Sequence, residues 1–268
     1  MAAANETPVR VTILGSGTST GVPVLGCGCE VCASTEAKNQ RFRSSILLES
    51  NSGSKLVIDT GPEFRLQMLR VKVQDLEQVL YTHIHADHCH GFDDLRAFYF
   101  QNQKVIQCYL PNEYIEEFKT RFAYAFSESG YLGSKPELKL HALDQDCSRI
   151  GDFKIERQRL AHGNVLTSSY RFGAFAYATD FKSFSPEQIE KWRGKIKVMV
   201  ASGIRFREHH THSNVSETIK LFQALGVERG IITHLSHDIE YFRDSASLPK
   251  QVEFAYDGMS IDLSAILA

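Results

Sequence analysis

The stretch THIHADHCHG, residues 82–91, places His83, His85, Asp87 and His88 in a His-x-His-x-Asp-His arrangement. Neutral imidazoles and carboxylates are ligands for borderline divalent ions such as zinc. His83 and His85 stand two apart, and alternate side chains of an extended segment share a face, so the pair can reach one ion. Asp87 and His88 follow where the chain turns and can serve a second ion beside the first. A polar surface loop that happens to be rich in histidine is the bland alternative. It fits poorly, because the motif is launched from the apolar run QVLYT (78–82).

Four residues do not fill two metal sites, so the chain should supply more. Asp180 follows the run AFAYAT (174–179) and His234 follows GIIT (230–233), as His83 follows QVLYT. Each is a ligand type at the C-terminal end of an apolar strand, where open α/β sheets place their sites. His162 follows the strand-like segment 152–160, and Gly163 beside it permits close backbone approach. A lone histidine of that kind is as often structural as ligating.

A second concentration lies in GCGCEVCAS (26–34), which holds Cys27, Cys29 and Cys32, half of the six cysteines in the chain. Three thiols are one ligand short of a closed tetrahedral site. Spacing alone does not name the fourth: His209, His210, His234 and His237 would all serve. The competing reading is a redox pair, but Cys29-x-x-Cys32 opens no βαβ unit of the thioredoxin kind. Cys89, Cys108 and Cys147 are scattered and read as ordinary buried or half-buried thiols.

These groups must be positioned by a chain of 268 residues with a formal net charge of −2. No overall basic field supports extended nucleic-acid binding. Residues 1–10 lack the basic start and apolar run of a secretory leader, and no window approaches a membrane span. The expectation is a soluble, cytoplasmic protein in which clustered thiols bind metal. With no repeat, low-complexity segment or linker, residues 1–268 read as one domain. Strands are expected at 9–15, 44–50, 55–60, 78–82, 105–110, 152–160, 169–173, 174–179, 197–202 and 230–233. Helices are expected at 112–126 from an Asn112 cap, at 185–193 from Ser185 and Pro186, and at 214–225. The last begins with an Asn214/Glu217 capping box and ends at Gly226. Val215, Ile219, Phe222 and Leu225 would form its buried face. Hairpin-like strands early, then mixed strands and helices, point to an α/β sandwich.

The set His83, His85, Asp87, His88, His162, Asp180 and His234 resembles the metallo-β-lactamase fold's two-metal hydrolases. More narrowly, the chain resembles the PhnP-like branch, the phosphoribosyl cyclic phosphate phosphodiesterases. It shares GSGTSTGVPVLGCGCEVC near the start, IDTGPEFRLQ (58–67), HADHCHGFDDLR (85–96), YATD (177–180) and THLSHD (233–238). The resemblance implies an αββα sandwich with two ions, zinc or manganese, in the cleft at the sheet edges. One ion would take His83, His85 and His162, the other Asp87, His88 and His234, with Asp180 bridging. It also selects His237 as the fourth ligand of a structural zinc with Cys27, Cys29 and Cys32.

The implied activity is hydrolysis of a small cyclic phosphodiester by a hydroxide activated between two metal ions. His212 is the expected donor or transition-state stabiliser, with His210 as its competitor, and Asp87 would also orient the attacking water. Asp59, Arg65 and Arg96 are candidates to frame the pocket, against a plain ion pair of Asp93 or Asp94 with Arg96. His90, His141 and His209 are read as structural or surface groups. Three rival functions stand beside this one: a tRNA 3′-processing endonuclease, a thioester or lactone hydrolase, and a non-catalytic metal-binding protein. The first would carry a basic, Gly-rich arm, which the sequence lacks. Relatives of this kind are commonly homodimers, and neither membrane nor nucleic acid is an expected partner.

Overall fold

A strand whose successive interior residues are all apolar has to be covered on both sides. SILLE and KLVI are of this kind: Ile46, Leu48, Leu56 and Ile58 face one way and Leu47 and Val57 the other, all at most 3% exposed. The computed structural model describes residues 8–127 and 137–264, so most of the segment read for a leader lies outside it. Numbered in chain order, one seven-stranded sheet runs β14 (Ser260–Asp262), β1 (Arg10–Gly15), β2 (Ser45–Glu49), β3 (Lys55–Ile58), β4 (Gln78–Leu80), β5 (Ile106–Pro111), β6 (Leu138–Leu143). The other runs β13 (Val252–Phe254), β12 (Arg229–Thr233), β11 (Val198–Ser202), β10 (Phe175–Ala178), β9 (Val165–Phe172), β8 (Phe153–His162), β7 (Cys147–Ile150). Strands β3 to β6 are parallel, as are β10 to β13, and the remaining neighbours pair antiparallel.

Three apolar layers follow from the alternation. Between the sheets, Val11, Ile46, Leu56 and Leu80 meet Ile155, Phe172, Tyr177, Val200 and Ile231. Outside the first sheet, Leu47, Val57 and Val79 pack on Phe64, Phe92, Phe98 and Phe118 from its helices. Outside the second, Ala176, Met199, Ala201 and Ile232 pack on Trp192, Val215, Phe222 and Leu225. The result is the expected αββα sandwich.

Two of the three expected helices form with the caps that the sequence supplies. Ser185 and Gln188 exchange side-chain and backbone bonds around Pro186–Trp192, and Asn214 and Glu217 do the same at Val215–Leu225. Gly226 closes the latter at φ 74°, a left-handed position that glycine takes without steric cost. Its buried face is Val215, Thr218, Leu221, Phe222 and Leu225, with Ile219 only half-buried. The segment 112–126 is not one helix. It is a 3-10 turn (Asn112–Tyr114) followed by Ile115–Arg121 and Ala123–Phe126, because Phe122 leaves helical geometry at ψ 36°.

Replacing Ser185 by Ala removes one cap and should cost about 1 kcal/mol. For a chain of 268 residues this reads as a fall in Tm of about 2–4 °C, measured by differential scanning calorimetry.

Candidate metal centre

Parallel strands bring the candidate ligands together because their C-terminal ends share one rim. Beyond β4, Tyr81 and Thr82 lead to His83, and His85 caps the short helix Ala86–Cys89 that carries Asp87 and His88. His162 ends β8, Asp180 follows β10 and His234 follows β12. Asp180 and His234 are held at φ 55° and 60°, and Asp59 after β3 at 65°. Left-handed backbone at a residue with a side chain costs of order 1–3 kcal/mol, so sheet and cluster together must over-determine these turns.

Two adjoining sets result. His83, His85 and His162 form one, with ring centroids 4.6–5.4 Å apart. Asp87, His88, Asp180 and His234 form the other. Asp180 lies at the junction: Oδ2 is 3.0 Å from His88 Nε2, and Oδ1 is 3.0 Å from His234 Nε2 and 3.9 Å from His162 Nε2. Nε2 of His83, His88 and His234 are buried without a hydrogen-bond partner. Three orphaned nitrogens, two of them 3.0 Å from an oxygen of Asp180, are too costly to leave as they stand and fit divalent cations.

The electrostatics agree. Burial holds His83 well below the usual imidazole range, helped by His88, so it is neutral as a ligand must be. At His88, burial opposes protonation, but Asp87, Asp180 and Asp59 override it and raise the ring. Those carboxylates are the negative surroundings that a cation would neutralise instead.

Asp59 does not frame a pocket. It is fully buried and accepts from His88 Nδ1 at 2.7 Å and from the N–H and hydroxyl of Thr82, both at 2.8 Å. This fixes the His88 tautomer with Nδ1–H toward Asp59 and leaves Nε2 for the cluster. The signal was present in the sequence, since Asp59 ends an apolar strand just as Asp180 does.

The thiol loop closes on His237. Sγ of Cys27, Cys29 and Cys32 lie 3.3, 3.6 and 3.5 Å from its Nδ1. A tetrahedral zinc with sulfur at about 2.3 Å and nitrogen at about 2.0–2.1 Å separates the two atoms by about 3.5 Å. The set therefore fits a closed site. The Cys32 N–H, together with the neighbouring groups, lowers the Cys29 thiol to about 6, while burial raises Cys32 to about 11. Buried Arg41 braces the segment around His237 through the carbonyls of Ser236 and Ile239, both at 2.8 Å.

His212 joins the centre and His210 does not: His210 is exposed, whereas His212 Nδ1 lies 3.5 Å from Asp180 Oδ1. Its ring stacks on His234 at 5.0 Å and meets His162 at 4.7 Å. Burial, with His234 nearby, pushes His212 down to about 3, so the ring is neutral at pH 7. His209, read as structural, sits edge-on to His212 at 4.8 Å. His90 is exposed against Phe122, and His141 is stacked on Tyr109 with a bond to Gln107. Cys89 and Cys108 are buried, but Cys147 is exposed, at the start of the edge strand β7. Arg96 pairs with Asp93 at 3.1 Å, and with Arg65 it lines a groove of about 860 Å³ whose lining includes none of the cluster.

A sandwich of two such sheets with histidines and aspartates at one rim defines the metallo-β-lactamase class of metal-dependent hydrolases. The profile of the β-lactamase superfamily domain matches residues 54–235, and the chain belongs to that superfamily, in its PhnP-like branch. A solved structure described as a new diphosphatase from the PhnP family superposes with a TM-score of 0.86 at 31% identity, covering 94% of this chain and 96% of that one. The octanoyltransferase of Porphyromonas gingivalis is 33% identical over 254 residues, 94% of this chain. The exodeoxyribonuclease WalJ of Streptococcus pneumoniae is 28% identical over 150 residues, 49% of this chain. The matched region amounts to about half the length of these curated relatives (51% and 49%). No helix among the described residues is long and apolar enough to cross a membrane.

Asp59→Asn, with its hydrogen bond to His88 weakened, should lower metal affinity about 10–100-fold, read by competition with a chromophoric chelator. Cys32→Ala should remove one equivalent of metal by elemental analysis while leaving the histidine-rich centre loaded.

Proposed function

We propose that the protein is a metal-dependent phosphodiesterase that opens a small cyclic phosphodiester such as 5-phosphoribosyl 1,2-cyclic phosphate. The observation that carries this is the place of His212, a neutral imidazole against the junction carboxylate and between the two ligand sets. Likeness to a PhnP-family structure over nearly the whole chain supports it.

His83, His85 and His162 would hold one divalent ion and Asp87, His88 and His234 the other, with Asp180 between them. Zinc and manganese both suit this mixture of histidine and carboxylate. Ions held there lower the pKa of a water molecule and offset the charge on phosphodiester oxygens. The chain's own groups do the rest. Asp87 orients the attacking water. With His212 Nδ1 buried toward Asp180, Nε2 is the nitrogen left to face the cleft. The ring would act as donor or transition-state stabiliser for the leaving alkoxide oxygen as the P–O bond breaks. The N-terminus of helix Val215–Leu225 stands just beyond and favours a phosphate nearby. Cys27, Cys29, Cys32 and His237 would hold a structural zinc that anchors the segment after His234.

A second reading, thioester hydrolysis, draws on the relative named an octanoyltransferase, although that name belongs to a protein of about twice this length. A panel of 5-phosphoribosyl 1,2-cyclic phosphate, a 2′,3′-cyclic nucleotide, a dinucleoside diphosphate, precursor tRNA and an octanoyl thioester separates the readings by phosphorus NMR, gel and thiol release. The expected outcome is preferred opening of the ribosyl cyclic phosphate. His212→Ala should lower kcat about 10²–10³-fold with metal content unchanged. Preferred cleavage of the thioester or of tRNA would sink the proposal.

A further inference from the structure

The ring of His212 has no hydrogen bond at Nδ1 to fix it, so its orientation must come from stacking and from the backbone that carries it. That backbone is tied at three consecutive residues. The Thr211 carbonyl faces His162 Nδ1 at 3.4 Å, the Ser213 N–H donates to the Phe181 carbonyl at 2.7 Å, and the Lys182 ammonium lies 3.5 Å from the His212 carbonyl. Lys182 is also bound elsewhere. Its N–H donates to the carbonyl of Ala161, next to His162, at 3.1 Å. Its Nζ reaches both carboxylate oxygens of Glu217, at 2.9 and 3.0 Å, and Glu217 closes the capping box on Asn214.

Lys182, two residues beyond Asp180, thus joins the segment that carries His162 through its backbone, and the His212 segment to the helix behind it through its side chain. The other two ties use backbone atoms or a candidate ligand. Of these three ties, only the Lys182 arm can be removed without altering either. The Lys182–Glu217 pair is about one-third exposed on each side, and such pairs contribute little to global stability. Its consequence should therefore be local.

We propose that Lys182 is a positioning residue that sets the His212 imidazole against the Asp180 carboxylate; this rests on the role given to His212 above. A small displacement of a reacting group is enough to lower the rate without weakening binding.

The test compares metal-loaded wild type, Lys182→Met and Lys182→Arg on 5-phosphoribosyl 1,2-cyclic phosphate, with hydrogen–deuterium exchange of residues 209–214 as a readout independent of turnover. For Lys182→Met, kcat should fall about 10-fold with KM within about twofold of wild type and metal content unchanged. Exchange in 209–214 should quicken while that of β11 and β12 stays the same. Tm should move by no more than about 2–4 °C, and Lys182→Arg should restore most of both effects. A raised KM at constant kcat would make Lys182 a substrate contact and overturn the proposal, as would unchanged kcat with unchanged exchange. If wild type is inert on the phosphodiester, the functional reading fails separately. Exchange then decides on positioning: quicker exchange in Lys182→Met supports it and unchanged exchange overturns it.

Discussion

The carboxylate of Asp180 is the point on which the rest of the centre depends. It is almost wholly buried, and each of its oxygens faces a histidine Nε2 at 3.0 Å. An acidic group cannot be placed so deep unless something positive or hydrogen-bonding answers it. The fold answers from both sheets at once. His88 arrives from the first, while His162 and His234 come from the second, so the cluster also joins the two halves of the sandwich at one rim. The strained turns at Asp59, Asp180 and His234 are the local cost of aiming short side chains inward from strand ends.

Much of this could be read from the sequence because ligand types follow apolar strands directly. His83, Asp180 and His234 share that setting, and capping residues marked the helices at 186 and 215. What was missed depends on distant partners. β14 is three residues long and exists because it pairs with β1, some 250 positions earlier in the chain. β6, β7 and β13 are likewise short or half-exposed, without a strong alternation of their own. The helix Phe64–Val71 starts at Glu63 with no side-chain cap, so nothing local announces it. Within the centre, the strand-end setting marked Asp59 but not its partner, and the contacts of Lys182 were hidden altogether, for the same reason. Each acts on a residue about 30 positions away, through contacts that spacing does not encode.

Two devices hold the loop after His234, and they differ in physical kind. The thiol set would grip it through metal–ligand bonds, while Arg41 grips it through neutral carbonyls from a buried position. Burial lowers the Arg41 guanidinium to about 10, with Asp257 and Glu240 opposing, so it stays charged at neutral pH. Lys38 adds a third contact, its ammonium 4.4 Å over the rings of both Tyr241 and Tyr256. The N-terminal loop is thus fastened to the segment around His237 from several sides.

The antiparallel pairing of β1 with β14 sets Arg10 opposite Asp262. β1 runs in the same direction as β3, whose C-terminal end leads to Asp59 at the rim of the cluster. The start of β1 and the finish of β14 therefore lie side by side at the far end of the sheet. A polypeptide spliced on at either point departs from the pole opposite the cleft. This geometry lets the same sandwich sit within a protein of about twice its length without obstructing access to its chemistry. It also makes the seam between Arg10 and Asp262 a natural place at which to join the ends and reopen the chain elsewhere, as in circular permutation.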